Sequence, residues 1–127
     1  MTGAKAMEAI SDTAKIESYH AHVYYTGAAS RAAAASLREV LQSRFEVAMG
    51  NWHDKPIGPH PLPMYQVSFA AREFARIVPW LMLNHEGLSI LIHPNTDDGY
   101  RDHAEHALWL GAQQELRLDV LRKLLGQ

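Results

Sequence analysis

The sequence of 127 residues contains no cysteine, which excludes disulfides and thiolate metal ligands and is typical of a reducing compartment. It also has no apolar run approaching the roughly 20 residues that a membrane span needs. The formal net charge is only -2, which predicts no basic surface for nucleic acid or an anionic membrane. The N-terminus lacks a continuous apolar segment, so we expect no secretory signal and a cytoplasmic location.

The composition is typical of a globular domain, except for an unusually large number of histidines. Apolar residues make up 47% of the chain and charged residues 20%, a balance typical of one soluble domain of this length. We expect residues 1–16, which are polar and alanine-rich, to form a flexible arm, and residues 17–127 to form the domain. Eight residues are histidine. Without cysteine, a metal here would be held by imidazole and carboxylate groups.

The hydrophobic pattern changes between two periods along the chain. Strands are predicted where aromatic and β-branched residues alternate, and helices where apolar residues recur every three to four positions. Pro79 predicts a kink or a new turn in the second helix, and Pro94 is expected to end the fourth strand. The predicted elements are strand 18–25, helix 28–45, strand 46–52, proline-rich loop 53–63, strand 64–69, helix 70–84, strand 88–93, polar turn 95–102, a short strand within 106–111 and helix 113–125.

The order of these elements predicts an α+β fold. It matches the ferredoxin-like split βαβ plan, an antiparallel sheet with both main helices on one face, here followed by a C-terminal helix. We expect the first strand to lie between the third strand, parallel to it, and the fourth strand, antiparallel to it. This plan hosts many unrelated functions, so the function has to be argued from the side chains.

Alternation along the strands predicts that several histidines share the sheet face without helices. The more apolar set of each strand should lie under the helices, which sends His20, His22 and His93 to the open face. His93 ends the strand that lies beside the start of the first strand. If the third strand is parallel, His60 approaches the same edge from the proline-rich loop. We therefore expect these four histidines within about 10 Å of one another, as a metal or catalytic site.

Other polar residues could complete such a site. Imidazole nitrogens suit Fe(II), Zn, Cu, Mn or Ni, and sequence does not distinguish among these metals. His103 and His106 would flank the site if their segment is helical, and surface exposure is the equal alternative. Asp102 and Glu105 are candidates for a further ligand or for a partner of a ligating histidine. His53 is expected to be solvated.

Four stretches of the sequence carry a family resemblance. They are YHAHVYY (19–25), GPHPLPMYQV (58–67), PWLMLNHEGLSILIHPNT (79–96) and DHAEHALWLG (102–111). Together they resemble the DOPA 4,5-dioxygenase family of the fungal and bacterial type. The resemblance implies a ferredoxin-like fold and extradiol opening of a catechol ring, such as that of DOPA, with O2. The histidines that match the family are His20, His22, His60, His93 and His103.

The resemblance assigns chemistry to the site but leaves its roles open. Three of His20, His22, His60 and His93 would bind the metal, expected to be Fe(II) with Zn or Ni as replacements in a crystal. The fourth, or His103, would be the general acid and base, so His60 and His103 are the catalytic candidates. The substrate-binding candidates are Tyr24, Asn95, Thr96 and Trp109. The alternatives are another metal-dependent enzyme on this scaffold, or a non-enzymatic metal-binding dimer.

Apolar side chains on the open face predict a homodimer. Tyr24, Met64, Leu91 and Trp52 are expected to share that face with the histidines, and the closing helix can cover only part of it. A two-fold dimer through the open face or through the segment HALWLG would cover the rest. The same packing would shield the histidines from bulk water.

Overall fold

The structure is a computed structural model that describes residues 10–127. It contains a five-stranded, fully antiparallel sheet with the order β2-β3-β1-β4-β5. The order of the first four strands is that of the ferredoxin-like plan, so the predicted α+β class is confirmed. The strands are β1 Ser18–Tyr24, β2 Ala48–Met49, β3 Met64–Ala70, β4 Ile90–Asn95 and β5 Leu108–Leu110.

Four α-helices accompany the sheet in the described part of the chain. The longest is rich in alanine and leucine, which favour helix, and it buries Ala34, Leu37 and Leu41, spaced three and four residues apart, against the sheet. The second helix follows a 3-10 turn at Ala71–Glu73 and continues through Pro79. No helix within residues 10–127 has the length and apolarity to cross a membrane. The helices are α1 Gly27–Arg44, α2 Phe74–Asn84, α3 Gly99–Ala104 and α4 Leu118–Leu124.

The main core lies between the sheet and the helices α1 and α2. In β1 it takes Ala21 and Val23, while His22 and Tyr24 face the other side, as the alternation predicts. The same rule holds in β3 and β4. The members that share this core across the sheet are Tyr65, Val67, Phe69, Ile90 and Ile92.

The N-terminal segment is described from residue 10 onwards. The part of the expected arm that covers residues 1–9 lies outside the described residues. Thr13–Lys15 forms one 3-10 turn, and the side chain of Asp12 accepts a hydrogen bond from Ala14 N–H at its start. Glu17 N–H then donates to Asn95 O at 3.0 Å, which extends the pairing of β1 with β4 by one residue.

The predicted parallel pairing of the first and third strands is wrong. β1 and β3 are antiparallel, with Ser18 opposite Ala70 and Tyr24 opposite Met64. The reason is that α1 returns the chain so that β2 runs parallel to β1, and β3 then reverses direction beside β2. His60 therefore enters the open face from the Tyr24 end of β1, opposite to the end that the parallel arrangement implied.

Two predictions around β4 are also wrong. Pro94 lies inside the strand instead of ending it. This is tolerated because β5 pairs with β4 only over Ile90–Ile92, so no strand on that side requires an N–H from Pro94. The segment expected as a polar turn, 95–102, contains the start of α3, with Asp98 as its N-cap accepting a hydrogen bond from Arg101 N–H at 3.1 Å.

Two further elements are shorter than predicted. The second strand, expected over 46–52, has only two regular residues, although the pairing with β3 continues through Gly50 N–H to Gln66 O at 2.8 Å and a bridge of His53 with Met64. The last helix, expected over 113–125, begins at Leu118. The residues before it have no regular structure, and their backbone bonds to another segment, with Arg117 N–H donating to Pro59 O at 2.8 Å.

The open face of the sheet carries a second core of its own. Tyr24, Met64 and Leu91 are buried there. The partly buried apolar residues that cover them come from the proline-rich loop and from the C-terminal part of the chain: Leu62, Ala107, Trp109 and Leu116. Trp52, which was expected on this face, instead packs on the main core with its ring 5.0 Å from that of Tyr65.

Candidate metal centre

The regular pairing of β1 with β4 positions the first three histidines. His20 and His22 lie two residues apart on the open face of β1, and His93 of β4 lies directly opposite His20. The ring centroid of His93 is 5.2 Å from that of His20 and 5.1 Å from that of His22. Because these positions are fixed by backbone ladders on a central strand, the three rings are held rigidly.

Two more histidines reach the same place from outside the sheet. His60 comes from the proline-rich loop, and its ring centroid is 4.2 Å from that of His22. His103 comes from α3, and its ring centroid is 4.0 Å from that of His93. The five rings form two overlapping triads, His20–His22–His93 and His22–His60–His103, in each of which the nitrogens lie within 4.8 Å of one another. His22 belongs to both.

The five rings are neutral at physiological pH because of their surroundings. His22, His60 and His93 are buried, and burial is the main cause that lowers the pKa of His60 to about 4 and that of His93 to about 3. The pKa of His22 lies well below its ordinary value, from burial and then from the neighbouring rings. Burial also lowers the pKa values of the half-buried His20 and His103. Neutral imidazoles have a free lone pair for a metal.

Backbone carbonyls fix the tautomers of two rings. His93 Nδ1 lies 2.9 Å from Pro94 O, and His103 Nδ1 lies 2.7 Å from Gly99 O. A carbonyl oxygen only accepts, so each Nδ1 carries the proton and donates it. The lone pair of His93 and of His103 is therefore on Nε2, which is the arrangement that metal-ligating histidines adopt; in the metal-free protein Nε2 of His93 contacts Nε2 of His22.

The spacing of the nitrogens fits a metal ion. His22 Nε2 and His93 Nε2 are 3.1 Å apart, and two imidazole nitrogens on one tetrahedral ion at about 2.1 Å would be separated by roughly 3.4 Å. His22 Nδ1 is buried without a hydrogen-bond partner, an arrangement that native proteins rarely leave unexplained. A site of neutral nitrogens only is suited to Fe(II), Zn, Cu or Ni rather than to Mg or Ca.

The remaining buried wall of the site is built by Tyr24. Its hydroxyl group lies 2.6 Å from His60 Nδ1, and its ring stacks on Trp109 with centroids 5.8 Å apart. Tyr24 joins the histidines to the second core, which closes this end of the face. Of the five histidines, His20 and His103 are the ones that are only half-buried.

The other residues considered as ligands or substrate contacts lie around the site. Both triads consist of histidines alone, and Asp102 bonds to Thr96 instead. Glu105 is exposed and pairs with Arg101. His106 is exposed and His53 is half-buried. Asn95 is half-buried on the open face, where its side-chain amide donates to Ser18 Oγ at 3.0 Å.

Two polar residues beside the site were expected on the open face but were not among the predicted site residues. Gln66 lies opposite His22 and Ser68 lies opposite His20, both half-buried on the open face. Gln66 Nε2 donates to Ser68 Oγ at 3.2 Å. The alternation of β3 already placed them on this face, but the register that brings them beside histidines depends on the antiparallel pairing.

Comparison with known proteins identifies related sequences and a related structure. The sequence profile of the Dopa 4,5-dioxygenase family matches residues 19–120. A crystal structure of a candidate dioxygenase from Nostoc punctiforme is 56% identical, with a TM-score of 0.88 over 91% of this chain and 99% of that one.

Two curated fungal proteins are also similar. An uncharacterized 21.2 kDa protein of Botryotinia fuckeliana is 37% identical over 74% of this chain and 56% of its own length. The DOPA 4,5-dioxygenase of Amanita muscaria is 34% identical over 82% of this chain and 49% of its own length. The chain thus spans about half the length of the curated relatives it matches. The resemblance seen in the motifs is confirmed: the chain belongs to the Dopa 4,5-dioxygenase family.

Proposed function

We propose that the protein is a metal-dependent extradiol dioxygenase, which opens the ring of a catechol such as DOPA with O2. The observation that carries the proposal is the cluster of five neutral histidines, three of them buried, on the open face of the sheet. Family membership and the similarity to a DOPA 4,5-dioxygenase favour this reaction over other metal chemistry on the same ligands.

The ligands of the metal are proposed from the hydrogen bonds of the rings. His22 and His93 are buried and have their Nε2 atoms side by side, so both are proposed as ligands. His20 completes a triad with these two and is proposed as the third ligand; His103, which forms a triad with His22 and His60, is the further candidate. Fe(II) bound there would supply the positions at which a catechol and O2 meet and exchange electrons.

His60 is proposed as the general acid and base. Its Nδ1 is bonded to Tyr24 Oη, a hydroxyl group that can either donate or accept a proton, whereas Nδ1 of His93 and of His103 is bonded to a carbonyl that can only accept. With Nδ1–H donating to Tyr24 Oη, His60 can therefore take a phenolic proton on Nε2, keep its Nδ1 proton, and later return the Nε2 proton to the product oxygen.

The surroundings of the site suit a reaction that must exclude water. The second core closes the Tyr24 end, and β4 and α3 close the side of His93. The side that stays accessible is lined by His20, Gln66 and Ser68, which are half-buried. A flat aromatic diol could enter there with its hydroxyl groups towards the rings and its substituent over these neutral polar groups.

Anaerobic reconstitution tests the proposal. Purified protein is loaded with Fe(II) without oxygen and mixed with a panel of catechols, including DOPA, in air-saturated buffer. The expected result is uptake of one O2 per catechol and a product heavier by two oxygen atoms, whose NMR spectrum identifies the bond that was cleaved.

Two controls separate the alternatives. His22→Ala protein should show neither iron retention nor oxygen uptake. Iron binding without oxygen uptake on any catechol would contradict the dioxygenase and favour another metal-dependent enzyme. No metal binding at all would leave the histidines as buried structural residues.

A further inference from the structure

The short helix α3 is held by a buried carboxylate that the proposed chemistry does not use. Asp102 is 2% exposed, and both of its carboxylate oxygens accept hydrogen bonds from one residue in the turn between β4 and α3. Thr96 N–H donates to Oδ2 at 2.8 Å, and the Thr96 hydroxyl donates to Oδ1 at 2.7 Å. Burying a carboxylate is costly unless hydrogen bonds compensate it; these two come from Thr96, and His106 Nδ1 lies 3.5 Å from Oδ1.

Thr96 also fixes the start of the helix. Its Oγ1 accepts a hydrogen bond from Asp98 N–H at 3.1 Å, and Asp98 is the N-cap of α3. A helix of six residues forms too few internal hydrogen bonds to persist by itself. Its place on the end of β4 is therefore supported by the bonds of Thr96 with Asp98 and Asp102, beside its packing against α4, where the Arg122 guanidinium lies 4.3 Å from the Tyr100 ring centroid.

The place of α3 decides where His103 lies. His103 follows Asp102 directly, and its Nδ1 donates to Gly99 O within the same helix at 2.7 Å. Its ring is therefore fixed relative to α3, and α3 is fixed relative to β4 through Asp102. The ring centroid of His103 is 4.0 Å from that of His93 and 6.3 Å from that of His22. A rotation of the helix would withdraw it from both.

We propose that Asp102 and Thr96 form a clamp that positions His103 in the metal centre and so sets the metal affinity of the site. This inference rests on the proposed metal site. Asp102 and Thr96 are positioning residues, because they act on the site through His103. Partners of this kind typically change metal affinity 10- to 100-fold when they are removed, and we expect a change in that range.

The variants are chosen to remove the bonds and keep the shapes. Asp102→Asn retains the size of the side chain but presents an NH2 group to one of the two Thr96 donors. Thr96→Val removes the hydroxyl group from a side chain of the same shape, and Thr96→Ser keeps it. Glu105→Gln neutralises an exposed carboxylate next to the same helix and serves as the matched control.

The first measurement needs no metal. Amide hydrogen exchange of residues 99–104 in the metal-free proteins should be at least about ten-fold faster in Asp102→Asn and Thr96→Val. Thr96→Ser and Glu105→Gln should match the unaltered protein. Unchanged exchange in Asp102→Asn and Thr96→Val would overturn the clamp, whatever the protein catalyses.

The second measurement uses Co²⁺ as the probe, because its visible absorption reports both affinity and ligand field. Asp102→Asn and Thr96→Val should bind Co²⁺ about 10- to 100-fold more weakly and with an altered absorption spectrum. Thr96→Ser should have the Co²⁺ affinity and the spectrum of the unaltered protein. Faster exchange with unchanged Co²⁺ binding, or no Co²⁺ binding by the unaltered protein, would overturn the positioning role. Co²⁺ binding that follows the clamp, combined with no catechol turnover by the Fe(II) protein, would overturn the dioxygenase and leave the clamp standing.

Discussion

At the scale of single residues, the five histidines are distinguished by what their second nitrogen contacts. His93 and His103 donate to backbone carbonyls, His60 bonds to the hydroxyl of Tyr24, and His22 Nδ1 has no partner. A ring held by a carbonyl presents one fixed lone pair, whereas a ring held by a hydroxyl can exchange its proton. Similar side chains in one cluster are therefore suited to different tasks.

His22 is the residue on which metal retention should depend most, since it belongs to both triads. We expect His22→Ala to abolish metal retention, measured by element analysis after reconstitution and desalting. His53 lies outside both triads, so His53→Ala should keep the metal content and the activity of the unaltered protein. Equal loss of metal in the two variants would show that the site lies elsewhere.

Tyr24 should matter to both stability and turnover. Tyr24→Phe leaves His60 Nδ1 buried without its partner, so the free energy of unfolding should fall by about 1–3 kcal/mol. The rate kcat should fall at least about ten-fold, because the proton exchange of His60 is impaired.

Tyr25→Phe is the matched control for this change. The Tyr25 hydroxyl donates to His53 O and to Asp54, away from the histidine rings. The variant should lose about 0.5–1.5 kcal/mol of stability in urea denaturation and keep its kcat. An equal fall of kcat in both variants would contradict the role given to Tyr24.

At the scale of elements, the C-terminal part of the chain reaches the open face after a close backbone contact at Gly111. Gly111, just after β5, has a φ of 67°, and a Cβ there would lie 2.5 Å from Leu88 O. The backbone of Gly111 lies against the backbone of Leu88. From there the chain turns back over the second core, where Leu116 packs. This contact requires glycine for two reasons, the left-handed conformation and the lack of space.

Substitution of this glycine tests the contact. Gly111→Ala should destabilise the protein by about 2–5 kcal/mol, because it adds backbone strain and a collision with a carbonyl. Gly87 has a similar φ of 72° but no heavy atom within 4 Å of its Cβ position, so Gly87→Ala should lose only about 1–2 kcal/mol. Equal losses in thermal or urea unfolding would mean that the close approach to Leu88 is not tight.

At the scale of the whole molecule, the buried histidines should make the metal-free protein sensitive to acid. His60 and His93 have pKa values of about 4 and 3 in the folded state, against about 6.5 in the unfolded chain. Below pH 6.5 the unfolded chain binds protons that the folded protein does not. Stability should thus be constant above pH 6.5 and fall as the pH is lowered towards 4.

The slope of the free energy of unfolding against pH is the quantity to measure. Each histidine that stays neutral in the fold should contribute up to about 1.4 kcal/mol per pH unit in that window, measured by urea denaturation at a series of pH values. His93→Gln should have a shallower slope than the unaltered protein. A free energy of unfolding that is constant from pH 7 to pH 5 would contradict the burial of neutral rings.

We also propose that the molecule is a homodimer. Apolar side chains on the open face predicted this dimer, but the second core covers much of that face. The HALWLG segment is therefore the interface that we propose. β5 in this segment is an edge strand with Leu108 38% exposed, and exposed apolar edges tend to be paired. Light scattering at micromolar concentration should give about twice the chain mass of 14.2 kDa. A monomer would contradict this interface.

The sequence by itself determined the fold class and the faces of the strands. Alternation is a local property with a period of two, so His20, His22 and His93 could be assigned to one face without knowing which strands are neighbours. The apolar spacing of α1 and α2 likewise decided which face of each helix is buried. These predictions needed only the geometry of a strand or a helix.

Only the tertiary structure decided how the segments meet. His60 was placed near the other histidines by a parallel pairing that does not exist; it reaches them because the proline-rich loop folds back over the Tyr24 end of an antiparallel pair. The position of His103 depends on α3, which a six-residue pattern cannot specify and which is held by side-chain bonds of Asp102 to Thr96, six residues earlier at the end of β4. Strand direction and loop return are set by contacts between distant residues, so no local period in the sequence reports them.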